Sequence, residues 1–89
     1  MTDYKRLRFV DVVLYNALVR TGYTSIEDIL NEPDFDKIWD ARNVGPKRVA
    51  KLILWLDDQG YQRPPWAEFI MGFSDVSKRY NDLKELANG

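Results

Sequence analysis

The sequence predicts an all-α protein: a compact four-helix unit over residues 1–62, followed by a C-terminal helical extension over residues 63–89. Three observations lead there. Apolar residues recur at helical spacing in one stretch after another, the breaks between stretches carry glycine, proline or capping residues, and no stretch alternates as a strand would. The chain has 89 residues, 45% of them hydrophobic, with three Trp, five Tyr and four Phe. That is enough apolar bulk for one thin core.

The first helix is expected from about Phe9 to Thr21, where Val10, Leu14, Ala17 and Leu18 fall at i, i+4, i+7 and i+8, and Gly22 is placed to end it in a left-handed cap. Thr24-Ser-Ile-Glu27 fits a capping box, with Thr24 as the cap of a short helix through Ile26, Ile29 and Leu30. Pro33 suits the first position of a third helix, which carries Phe35, Ile38 and Trp39 inward and closes at Arg42 or Asn43. Pro46 opens the longest clear helix, in which Val49, Leu52, Ile53 and Leu56 form one stripe until Gly60 stops it. Leu54 and Trp55 lie off that stripe and call for a second buried face. Tyr61-Gln-Arg-Pro-Pro-Trp66 reads as a stiff, extended connector, because each proline pushes its predecessor out of the helical region. Beyond it, Trp66, Phe69, Phe73, Val76, Tyr80, Leu83 and Ala87 are spaced 3, 4, 3, 4, 3, 4, a heptad-like seam. Gly72 and Ser74 are placed to break that helix in two, with Ser74 as an N-cap. The seam has two uses open to it: packing against Leu54 and Trp55, or association with another copy or a partner helix.

Composition narrows function. Neither Cys nor His occurs, so a zinc finger, a thiol nucleophile and a Ser-His-Asp triad are excluded, and no metal, cofactor or catalytic residue is expected. Asp34, Asp36, Asp40, Asp57 and Asp58 match neither a calcium loop nor a two-metal spacing, and Asp57 and Asp58 are expected to face solvent near a helix end. The longest uncharged apolar run, Leu52 to Leu56, is far short of a membrane span, and the amino end is a poor match to a secretory signal. A cytoplasmic protein with no membrane partner, a monomer or weak homodimer, is the expectation. The net charge of 13 − 14 = −1 conceals segregation. Six acids and one base (Lys37) lie between Glu27 and Asp40, whereas Arg42, Lys47, Arg48 and Lys51 follow with no acid among them, and Lys5, Arg6 and Arg8 form a second basic cluster.

The basic stretch surrounds the most informative turn, Asn43-Val44-Gly45-Pro46-Lys47. Two positions that favour positive φ flank a small apolar residue, and a helix opens at proline. Gly45 permits a sharp turn and a close backbone approach, the first amides of the following helix make an anion site, and Lys47, Arg48 and Lys51 add attraction. The stretch resembles the helix-hairpin-helix motif of DNA-binding proteins, which implies contact with backbone phosphates and little sequence specificity. The bare tetrapeptide reads first as a helix-helix connector with suitable turn residues, and it is Lys47, Arg48 and Lys51 behind it that turn the reading toward phosphate binding.

The match widens over about Leu7 to Tyr61. Tyr15-Asn16-Ala17-Leu18 followed by Gly22, a short helix after Thr24, Arg42-Asn43-Val44-Gly45-Pro46-Lys47 and a long helix ending in Gly60 resemble, in order and spacing, the carboxy-terminal domain of the bacterial RNA polymerase alpha subunit. The resemblance implies a stand-alone, divergent version of a domain that binds upstream promoter DNA in the minor groove and docks transcription factors. It places Asn16, Gly45 and Lys47 on family DNA contacts. Val13 stands where the family carries its principal minor-groove arginine, Arg48 replaces a serine and Lys51 replaces an acid; Arg8 or Arg20 would have to substitute for the missing arginine. The expected DNA-binding set is therefore Asn16, Asn43, Val44, Gly45, Lys47, Arg48 and Lys51, with Trp66, Phe69, Phe73, Val76, Tyr80 and Leu83 as an association seam. Three or four phosphate contacts would give a log-log salt slope of roughly −3 to −4. The competing expectation is a module that docks on RNA polymerase or a transcription regulator without touching DNA.

Overall fold

Local capping signals set most of the helix ends. A computed structural model of the chain describes residues 3–40 and 44–88, without the side chains of Phe35, Ala87 and Asn88. Among the described residues the chain is all-α, with no strand: a 3-10 turn (Lys5–Phe9), then α1 (Val12–Thr21), α2 (Ile26–Leu30), α3 (Phe35–Trp39), α4 (Gly45–Asp58), α5 (Pro65–Ile70) and α6 (Ser74–Asn88).

The first helix starts later than the apolar stripe predicts. Asp11 is its N-cap, with extended backbone and a carboxylate accepting from the Leu14 amide at 3.1 Å; the residues before it tighten into the 3-10 turn, leaving Phe9 88% exposed and Val10 exposed as well. Leu14, Ala17 and Leu18 do face the core. Gly22 (φ +107°) closes α1 as expected, and Tyr23 N–H reaches back to the Leu18 carbonyl at 3.3 Å, a Schellman-type ending open only to a residue that tolerates positive φ.

The capping box sits one residue further on than the Thr24 pattern predicts. Ser25 caps α2 and accepts from Asp28 N–H, while the Asp28 carboxylate takes the Thr24 amide at 2.9 Å and hydroxyl at 2.6 Å. Asp28, three residues after Ser25, thus fills the reciprocal role expected of Glu27. At α3 the cap is Asp34, with Pro33 just before it. Ile38 is fully buried and Trp39 half-buried; α3 ends at Trp39, short of the expected Arg42 or Asn43, and those two positions lie outside the described residues.

Pro46 occupies the first turn of α4, and Val49, Leu52, Ile53 and Leu56 are all buried as their spacing predicts. The extended connector is shorter than expected, since Pro65 already opens α5, and α6 is one residue longer than α4. Ser74 is the first residue of α6 rather than its cap. The break at Met71-Gly72-Phe73 splits the seam. Trp66 turns toward α2, its indole N–H donating to the Ile29 carbonyl at 2.7 Å, whereas Val76 and Tyr80 are buried where α6 packs on α4, the most extensive helix pair. Leu83 is half-buried in that contact, while Phe69 (56%) and Phe73 stay exposed and stack edge-on to each other. Trp66, Val76 and Tyr80 therefore offer nothing to a second copy.

One hydrophobic cluster runs from Tyr4 to Tyr80, and the radius of gyration of 12.0 Å is that of a close-packed chain of this length, about 12 Å. Tyr4 anchors the amino end to the α1–α2 junction: its ring is buried, its hydroxyl donates to the Tyr23 carbonyl at 2.6 Å, and burial pushes its pKa up to about 12.

Candidate nucleic-acid interface

The α3–α4 turn is seated from inside and open from outside. Val44 is 3% exposed, so its side chain cannot touch a ligand; it plugs the turn into the core and fixes the direction in which α4 leaves. Gly45 follows at φ +62°, and a Cβ built there would meet nothing within 4 Å. Glycine is required for the backbone conformation, and the vacant side faces outward, so another molecule can approach the main chain. Because Val44 carries no side-chain acceptor, the first amides of α4 lack a side-chain cap and keep their partial positive charge. Lys47 is exposed beside them and makes no ion pair among the described residues. Asn43 and Arg42 lie outside the described residues.

The basic stretch is not the acid-free patch that the sequence order predicts. Asp11, 37 and 40 positions away along the chain, stands against it: Arg48 Nε lies 3.2 Å and Lys51 Nζ 3.2 Å from Asp11 Oδ2. The Asp11 side chain is 6% exposed while the two cations are partly covered. Burial pushes this carboxyl upward, but the Leu14 amide, Lys51 and Arg48 outweigh it and hold the pKa below its ordinary value. Asp11 is thus a fixed anion that caps α1 and occupies two of the three bases expected to meet phosphate. Arg48 is correspondingly half-buried.

The other expected contacts separate. Asn16 is exposed on α1, about one and a half turns beyond Asp11. Val13 is half-buried, Arg20 is exposed at the far end of the helix, and the Arg8 guanidinium stands 5.8 Å above the Tyr15 ring. Several acids of the 27–40 stretch are committed locally: Asp28 and Asp34 serve as caps, and Glu32 accepts from the Tyr23 hydroxyl at 2.6 Å with Lys37 3.9 Å away. Burial, then the bond to Glu32, raises the Tyr23 pKa.

Asp57 does not face solvent as expected. It takes Arg63 Nε at 3.3 Å and Nη2 at 3.0 Å, a fork geometry, and the Tyr80 hydroxyl at 2.6 Å, with the Arg63 guanidinium 5.1 Å from the Tyr80 ring centroid. Burial again pushes its pKa upward, and the Arg63 and Tyr80 hydrogen bonds together bring it below the ordinary value. Asp58, its neighbour, is exposed. This cluster ties the end of α4, the connector and α6 together, a structural use for residues that sequence reasoning passed over.

Sequence reasoning also missed Asp11. An aspartate just ahead of an apolar stripe is a capping signal, and it pointed to the true start of α1; the ion pairs with α4 leave no local signal at all. No group of three or more Asp or Glu is placed to hold a metal ion among the described residues, and no helix there is long and apolar enough to cross a membrane. No family model, curated protein or solved structure matches the chain.

Proposed function

We propose that the protein is a divergent helix-hairpin-helix module, similar to the carboxy-terminal domain of the RNA polymerase alpha subunit, that binds DNA through backbone phosphates. The observation that carries this reading is the start of α4: amides without a side-chain cap behind a positive-φ Gly45 with open space outward, and alongside them an exposed Lys47 with no ion pair among the described residues. A phosphate is the anion that such a site accepts without reading a base. The order of α1 to α4 and the left-handed Gly22 support the family likeness.

Asp11 makes this a weaker and less salt-dependent binder than the sequence order suggests. With Arg48 and Lys51 paired, one or two phosphates are neutralised, and the log-log salt slope is expected at about −1 to −2. Titrating the protein with a short A·T-rich duplex at low salt and following backbone amides tests the reading. Shifts concentrated at residues 44–51 and at Asn16 are the expected result; their absence there overturns it.

A second reading has one observation in its favour. The same Asp11 pairing removes charge from the surface that DNA would meet, which suits a module docking on RNA polymerase or a transcription regulator without nucleic acid. Amide shifts upon adding RNA polymerase, with none upon adding duplex, are its signature.

A further inference from the structure

The break between α5 and α6 brings the C-terminal helix across α4 near the hairpin. Val76 and Tyr80 are buried in that contact, so the stripe beside them, Arg79, Asp82, Leu83 and Leu86 at i, i+3, i+4 and i+7, lies at its edge. This stripe and Lys47 line one open cleft of about 240 Å³. Lys47 and Arg79 are both exposed, and neither makes an ion pair or side-chain hydrogen bond among the described residues, even though Asp82 is close along the helix. Among the described residues that line the cleft, two cations stand against one carboxylate, a charge of 2 − 1 = +1. Leu86, 79% exposed, adds apolar surface on the same wall. Basic and apolar groups side by side match a nucleic-acid strand, in which each anionic phosphodiester adjoins the apolar face of a sugar.

We propose that α6 completes the backbone site: Lys47 and Arg79 hold one phosphodiester of a nucleic-acid strand in the cleft between α4 and α6, and Leu86 packs against the neighbouring sugar. This rests on the hairpin reading above and extends it to a helix for which the alpha-subunit pattern has no counterpart. It also gives the extension a binding role in place of self-association.

The test measures binding of the full chain to a labelled A·T-rich duplex by fluorescence anisotropy over a range of salt, for the parent and for K47Q, R79Q and L86S. Each substitution is at an exposed position and keeps a residue acceptable within a helix. Because Arg79 shares its phosphodiester with Lys47, R79Q should weaken binding at low salt and lower the magnitude of the salt slope by at most about 0.9, so that the affinity lost between about 50 and 200 mM salt shrinks by up to about 3.5-fold relative to the parent. L86S should weaken binding while leaving the slope unchanged. If K47Q weakens binding but R79Q and L86S match the parent, the hairpin binds DNA alone and α6 has no part in it. A parent that does not bind at low salt sinks both the hairpin reading and its extension.

Discussion

Asp11 carries two tasks on one carboxylate: it caps α1 and pairs with two bases of α4. Substitutions separate these tasks. Asn caps a helix as well as Asp, so D11N should keep α1 intact while removing the anion; Arg48 and Lys51 then become available to phosphate, and the salt slope steepens by up to about 1.8, with tighter binding at low salt. Unchanged affinity and slope in D11N would mean that these two bases point away from DNA. D11A, by contrast, loses the cap and should cost about 1 kcal/mol in chemical denaturation. Asp57 and Asp11 also shape the response to acid. Both are held below the ordinary aspartate value of about 3.9, so the stabilisation they give is fully present above that pH and disappears as pH falls through their depressed values. Denaturation midpoints measured from neutrality downward should fall below about pH 4, and the fall should be shallower in D57N, whose amide does not titrate. An identical acid limb in D57N would contradict the role of the Arg63 and Tyr80 bonds.

At the scale of the element, the α3–α4 turn and the α4–α6 joint are built differently. The turn depends on backbone conformation: G45A places an L-residue at φ +62° with no steric obstacle beyond the backbone itself, so a loss of about 1–2 kcal/mol is expected, together with weaker duplex binding because the new methyl stands in the path of approach. A variant of unaltered stability and affinity would show that this backbone conformation matters to neither. The joint depends on side chains reaching across from other elements. Trp66 donates to the Ile29 carbonyl, which also accepts from the Glu32 amide at 3.3 Å, so Phe in its place fills most of the volume and removes one of that oxygen's hydrogen bonds; a cost of about 0.5–1.5 kcal/mol is expected, read from the shift in urea midpoint at constant m. The capping signals of α1, α2 and α3 act within four residues, which explains why these ends were legible to within a residue or three from the sequence.

On the scale of the whole molecule, the C-terminal extension over residues 63–89 shares one core with residues 1–62. Trp66, Ala67, Ile70, Val76 and Tyr80 belong to the same buried cluster as Leu14, Ile38 and Leu52. Each large apolar side chain removed from such a cluster withdraws about 1.5–3 kcal/mol of burial, against a total stability of about 5–15 kcal/mol for a small domain. A chain ending at residue 62 is therefore expected to lose cooperative unfolding. Calorimetry of that truncation decides the point, and a sharp transition at the parent temperature would show that residues 1–62 fold independently.

Residue order was enough to establish the helical class, the buried stripe of α4, the left-handed end of α1 and the positive-φ position at Gly45. These depend on periodicity and on hydrogen bonds between near neighbours, and both are written in residue order. Which bases stay available depends on contacts between elements far apart in the chain. Spacing shows that Arg48 and Lys51 flank a turn; it does not show that an aspartate 37 and 40 residues earlier stands opposite them, because a hydrophobic pattern fixes the side that faces inward and leaves unspecified the charge it meets. The same reason separates Asp57 from the solvent-facing residue expected of it and brings Arg79 and Lys47 to the walls of one cleft, a juxtaposition made across the fold and absent from any local stretch of the chain.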